Sequence, residues 1–148
     1  MRNSIVGGWA VAALSVVLVL APAALAHDTS ATNAWFRALP SGLPAAGYFT
    51  LHNSGGTPVE LVAAESPACG MLMVHRSTES GGVSRMDDIK SIAIPPGHTL
   101  VFAPGGYHLM CMDPGAAMSP GNHVLVTLIF ADHRRIDVDF EVKGAAGK

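Results

Sequence analysis

Two short stretches carry soft metal donors at alternate positions: Met71-Leu72-Met73-Val74-His75 and His108-Leu109-Met110-Cys111-Met112. Successive side chains of an extended strand point to opposite faces, so residues 71, 73 and 75 share one face, as do 108, 110 and 112. Each stretch then offers an imidazole with thioethers on its own side. Thioether sulfur is soft and favours Cu(I) over Zn(II), Mg(II) or Ca(II), while imidazole suits several metals. Thioethers have no proton to lose and remain ligands at any pH, whereas a histidine ligand must be neutral. Two histidines with two methionines would accept Cu(I) in a distorted tetrahedron and leave it exchangeable. The ordinary reading of methionine is flexible core filler. Here, however, all six methionines after Met1 fall between positions 71 and 118, together with His75 and His108.

At these residues the chain resembles a known family. His75, Met86, His108 and Met110 stand at the spacing H-x10-M-x21-H-x-M, the signature of the periplasmic copper chaperones called PCuAC. The resemblance runs along most of the chain. Ala34-Trp35-Phe36-Arg37-Ala38 is similar to the family's A-W-A-R-A segment, Ala46 through Asn53 to its second strand, and Pro104-Gly105-Gly106-Tyr107-His108-Leu109-Met110 to its P-G-G-x-H-x-M loop. It implies a cupredoxin-like β-sandwich holding one Cu(I) through His75, Met86, His108 and Met110. It also implies delivery of that ion to partners that assemble the copper centre of cytochrome oxidase. Two features depart from the family. The His- and Met-rich C-terminal extension of many members has no counterpart in Gly144-Ala145-Ala146-Gly147-Lys148, and Cys111 stands where the family shows an aliphatic residue.

Cys69 and Cys111 leave three readings open. In an oxidising compartment an isolated pair forms a disulfide; a buried thiol is a second possibility. The third is a structural zinc site of Cys69, His75, His108 and Cys111, against which regular alternation sets the two thiolates on opposite strand faces and the spacing lacks a close C-x2-4-C pair. A blue-copper electron carrier would need a Cys thiolate, two histidines and an axial methionine. After Cys111 the next histidine is His123, beyond Met118, so the usual order is missing. A copper-dependent oxidase has only His27 in its favour, which as a new N-terminus could chelate Cu(II). His52, His98, His123 and His133 read as surface or hydrogen-bonded side chains, and Trp35 and Tyr48 as core. No G-x-S-x-G elbow or paired carboxylates suggest catalysis, so no enzyme is expected.

The elements that must position these donors are strands. Residues 136–142 alternate apolar and acidic at period two, and residues 124–130 form a β-branched and aromatic run; Asp132-His133-Arg134 between them suits a hairpin turn. Shorter strand candidates are 33–37, 47–53, 59–64, 71–76, 84–87, 91–94, 99–103 and 108–112. Gly- and Pro-rich clusters separate them every 8 to 12 residues or so, which predicts an all-β antiparallel sandwich or barrel with almost no helix. Gly81-Gly82 before Met86 and Asp87-Asp88 after it place that residue on a short, mobile hairpin.

Residues 1–26 fit a cleaved secretory signal: one positive charge at Arg2, an apolar core from Ile5 to Leu20, and Ala24-Leu25-Ala26 before the cut. No cysteine follows the apolar core and no arginine pair precedes it, so neither a lipoprotein nor a twin-arginine signal is indicated. Export to the periplasm follows, with residues 27–148 as one domain and no stable membrane insertion after cleavage. Over all 148 residues, 9 Lys+Arg against 11 Asp+Glu and only 14% charged residues leave no basic run for a phosphate backbone. Nucleic acid is therefore excluded as a partner.

Overall fold

The computed structural model describes residues 28–148; the signal-like segment and His27 lie outside the described residues. Ten strands follow in chain order: β1 (Thr29–Arg37), β2 (Ala45–Asn53), β3 (Val59–Glu65), β4 (Cys69–Ser80), β5 (Val83–Asp88), β6 (Ile92–Ile94), β7 (Thr99–Phe102), β8 (Tyr107–Pro114), β9 (His123–Phe130) and β10 (Arg135–Lys143). A single 3-10 turn at Pro40–Gly42 is the only helical piece among them. Every strand expected from the sequence is present, at slightly different bounds.

One hydrogen-bonded path links the strands in the order β5-β4-β8-β2-β1-β10-β9-β3-β6, with β7 paired to β2 beside β8. The path curls on itself, and the two halves face each other across an aromatic core. Phe49 of β2 stacks on Phe102 of β7 at 4.2 Å between ring centres and meets Phe140 of β10 edge-on at 5.6 Å. Phe36 of β1 closes on Phe140 at 5.1 Å. Burying such side chains is the main favourable term of folding, about 1.5–3 kcal/mol each.

The pairing is antiparallel except between β1 and β10, which run parallel through Trp35, Phe36 and Arg37. A break inside β1 precedes the paired residues. Asn33 takes a positive φ of 54°, and the register against β2 shifts between Thr32 and Trp35. The strand bends there and its second half also pairs with β10, a bulge that no alternation of side chains announces.

The expectation that Trp35 belongs to the core is corrected. Phe36 is the inward residue of that segment. Trp35 stacks on Tyr48 across the β1–β2 ladder at 4.9 Å, with the Lys143 ammonium 5.4 Å from the Trp35 ring centre. Tyr48 is buried, though on the face opposite Phe49, beneath Trp35 and the Arg37 guanidinium that donates to its hydroxyl at 3.1 Å.

Candidate metal centre

The two donor-bearing stretches fold as neighbours. β4 and β8 pair antiparallel, and the register sets His75 opposite His108, Met73 opposite Met110 and Met71 opposite Met112. Val74, Leu109 and Cys111 join the core, so the odd positions of β4 and the even positions of β8 lie on the face turned away from it. Three successive rungs result: one of two imidazoles, then two of paired thioethers. Directly opposed residues of an antiparallel pair bring Cβ atoms to about 4.5–5.5 Å, close enough for side chains of this length to share an ion.

The two imidazoles stand with ring centres 5.8 Å apart and planes at 87°. His108 is only 4% exposed, and its Nδ1 lies 3.1 Å from the Gly106 carbonyl oxygen. A carbonyl can only accept, so Nδ1 carries the hydrogen and Nε2 keeps the lone pair a metal would use. The same carbonyl accepts the Ser77 amide of β4 at 3.0 Å. The loop before β8 is tied down in turn by Gly106 N–H to the Ala103 carbonyl and Ala103 N–H to the Tyr107 carbonyl. The ring that matters is thus aimed by a backbone loop fixed on both sides.

His75 has a buried Nδ1 with no hydrogen-bond partner, a rare condition for a buried nitrogen that calls for an explanation. Burial first, and then the neighbouring His108, hold its pKa below the usual imidazole value, while Asp88 pulls the other way. The neutral ring, which is the ligating form, is favoured.

Met86 is placed differently. It lies on β5, an edge strand exposed throughout and paired only with β4, and its partner across the ladder is Ser77. The β4–β5 connection is the two-residue turn Gly81-Gly82, with φ of 59° and 76°, the signs a type I′ hairpin needs and only glycine adopts freely. Ser77, His75, Met86 and Asp88 share the donor face. Met86 is nonetheless diagonal to His75 and two strands away from Met110. In a flat sheet those two methionines would stand about 17 Å apart, from about 4.8 Å per strand and about 3.4 Å per residue. The ladder therefore brings His75, His108 and Met110 together, and leaves Met86 on the edge strand of a hairpin that must curl inward to reach the same ion.

Cys69 and Cys111 form a disulfide, with Cα atoms 5.4 Å apart. This removes the zinc tetrad, and also the blue-copper alternative, since both sulfurs are bound to each other. The expectation that the two sulfurs fall on opposite faces is corrected as well. Cys69 is the first residue of β4, and its amide still bonds the Ser66 carbonyl in the preceding turn, while Asp113, with φ of 47°, kinks the partner strand. Strand alternation does not govern that end, and Cys69 packs against the core beside the fully buried Cys111.

Of the remaining histidines, His52 meets the Thr99 hydroxyl at 2.9 Å, His98 the Pro96 carbonyl at 3.0 Å and His123 the Asp139 carboxylate at 2.6 Å. His133 forms the β9–β10 turn. Among the described residues no three His, Cys, Asp or Glu side chains gather into a metal-holding group. The side chains next to the His75–His108 rung along β4 and β8 are the thioethers of Met73 and Met110.

Residues 29–142 match the profile of the family described as "Putative lipoprotein LpqE-like". The chain belongs to the LpqE-like family. Among relatives of this LpqE-like protein is "Putative lipoprotein Lxx21020" of Leifsonia xyli subsp. xyli, 35% identical over 127 residues that cover 85% of this chain and 76% of the relative. A second, "Uncharacterized protein RP573" of Rickettsia prowazekii, is 29% identical over 96 residues, so the chain spans about half of its length, 53%. Among solved structures, apo-DR1885 from Deinococcus radiodurans superposes with a TM-score of 0.63 at 28% identity, covering 97% of both chains. The Cu(I) form of DR1885 superposes at 0.61 with 31% identity over 78% of this chain and 76% of that one. The copper-bound PCuAC domain from PmoF2, at 24% identity and a TM-score of 0.65, covers 79% of this chain and 93% of its own, and speaks to the fold alone. The PCuAC-type β-sandwich implied by the sequence is the fold observed, although the family profile that matches is the LpqE-like one.

Proposed function

We propose that this LpqE-like protein is an exported copper chaperone that holds one Cu(I) through His75, His108, Met110 and Met86 and hands it on. The reading is carried by the cross-strand pairing of His75 with His108 on a face that continues along β4 and β8 as thioethers, while Asp88, opposite His75 on β5, is taken up by the Lys90 ammonium. A buried imidazole nitrogen without a partner beside soft, uncharged sulfur suits a monovalent soft cation, and poorly suits zinc or magnesium. The likeness to a solved Cu(I)-bound protein supports the same choice. His75, His108 and Met110 form a fixed platform on β4 and β8, and Met86 closes over it from the β4–β5 hairpin.

The site is open on one side, so copper moves by exchange of one ligand for another with no change of oxidation state. The recipients are the proteins that assemble the copper centre of cytochrome oxidase, met in the periplasm after the signal segment has been removed. Among the described residues no helix is long and apolar enough to cross a membrane. The test is an anaerobic Cu(I) titration against a competing chelator, on the wild type and on Met110→Ala. The wild type should retain one tightly held Cu(I) per chain and the variant should surrender it at lower chelator concentration; equal retention by both would remove Met110 from the site.

A further inference from the structure

The four proposed ligands leave three methionines of the same face unused. Met71 and Met73 project from β4 and Met112 from β8, with Met71 directly opposite Met112 and Met73 opposite Met110. Core packing does not account for them. Of the six methionines after Met1, only Met118, 7% exposed, points into the core, whereas Met71 is 56% exposed and Met73 and Met112 are partly exposed. Placing long apolar side chains on the solvated face of a sheet forgoes the burial that methionine normally supplies. Cys69, Leu72 and Cys111 take the inward positions at this end of the two strands.

From this arrangement we propose that Met71, Met73 and Met112 form a second, thioether-only position for a soft monovalent cation, Cu(I), adjoining the imidazole rung, with Met110 standing between the two positions. The three sulfurs are carried by an opposed pair and its diagonal neighbour, separations of about 5 and about 7–8 Å at Cβ that flexible thioethers span easily. The ladder end that bears them is held by the Cys69–Cys111 disulfide, so the three methionines share a fixed base. Being neutral, they accept Cu(I) without releasing a proton. Passage to the neighbouring site replaces a Cu–S bond to Met73 or Met112 with a Cu–N bond to His75 or His108, by way of Met110, and copper stays monovalent throughout. Met71 makes the outer end of this track the more accessible one. The assignment shares the choice of copper with the function proposed above, but none of its three residues belongs to that ligand set.

The experiment uses the full folded chain and Cu(I) alone, titrated anaerobically against a chelator, with the methionine methyl groups carbon-13 labelled and followed by NMR. Methionine to leucine conserves volume and leaves the fold intact. The wild type should take up two Cu(I), the second surrendered at about tenfold lower chelator concentration, a difference of about 1.4 kcal/mol. Its uptake should shift the methyl signals of Met71, Met73 and Met112. The triple variant Met71→Leu, Met73→Leu, Met112→Leu should take up one, with unchanged retention. A His75→Ala, His108→Ala variant should keep only the weaker ion and the same three methyl shifts. A wild type that binds one ion, or a triple variant that still binds two, overturns the thioether position and leaves the four-ligand site standing. A His75→Ala, His108→Ala variant that keeps the tight ion overturns the four-ligand site instead.

Discussion

His108 is the donor with the least freedom: 4% exposed, on a central strand, its tautomer set by the Gly106 carbonyl. His108→Ala should therefore abolish retention of the tightly held Cu(I), because no nearby side chain can replace a pre-oriented imidazole. Met86, 54% exposed on an edge strand, should behave differently. Met86→Ala should still capture the Cu(I) of the imidazole rung but release it faster to an acceptor, since the platform forms without it and only closure is lost. Stopped-flow transfer to a chelator checks both; equal off-rates for wild type and Met86→Ala would put Met86 outside the site. The donor types and their alternation along β4 and β8 are legible in the amino-acid sequence. The relation of Met86 to the others is not, because it depends on the register of β5 against β4, which the Gly81-Gly82 turn sets and which a count of intervening residues does not convey. The facing of Cys69 is hidden for a similar reason: a strand's first residue obeys the preceding turn.

Among the elements, β2 is the hinge of the architecture, pairing β1 on one side and sharing the other between β8 and β7. Gly47 sits where it crosses both β1 and β8. A Cβ there would lie 2.6 Å from Cε1 of the fully buried Phe36 and 3.1 Å from Cβ of Leu109, the residue that follows His108. Gly47→Ala should lower the free energy of unfolding by about 1–3 kcal/mol, as overpacking of a filled core does. Chemical denaturation measures it, and a change within about 0.5 kcal/mol would mean the two strands can separate locally at no cost. Strand positions are readable because each run of alternating or β-branched residues is bounded by glycine and proline. The parallel β1–β10 pairing is not, since it joins the first and last strands of the chain, and neither it nor the bend at Asn33 leaves a mark on the pattern of apolar residues.

At the scale of the whole molecule, folding does not wait for the metal. The core of Phe36, Phe49, Phe102, Phe130 and Phe140 lies on the opposite side of β4 and β8 from the donors, so the apo protein should give a cooperative unfolding transition and a strand-rich circular dichroism spectrum. An unfolded apo spectrum would contradict that separation. The disulfide closes a loop of 42 residues, which in the chain-entropy model stabilises by about 4 kcal/mol. Reduction should accordingly lower the melting temperature by about 10–20 °C and loosen the end of the ladder that carries Met71 and Met112. A melting temperature unchanged by reductant would show that the bond constrains nothing the strands do not already hold. Metal choice is a property of the assembled face: Cu(I) should displace Zn(II) at comparable free concentrations, and equal competition by zinc would argue against sulfur in the site.

Because strand alternation sends Leu72, Val74, Leu109 and Cys111 inward and Met71, Met73, His75, His108, Met110 and Met112 outward, two messages are written on the same two strands, each readable only at every second letter. One spells a core and the other spells a chemistry. Substitutions can accumulate in the second without garbling the first, so a new ligand alphabet could be tried on this face, for a different soft ion, while the fold goes on being specified by the letters in between.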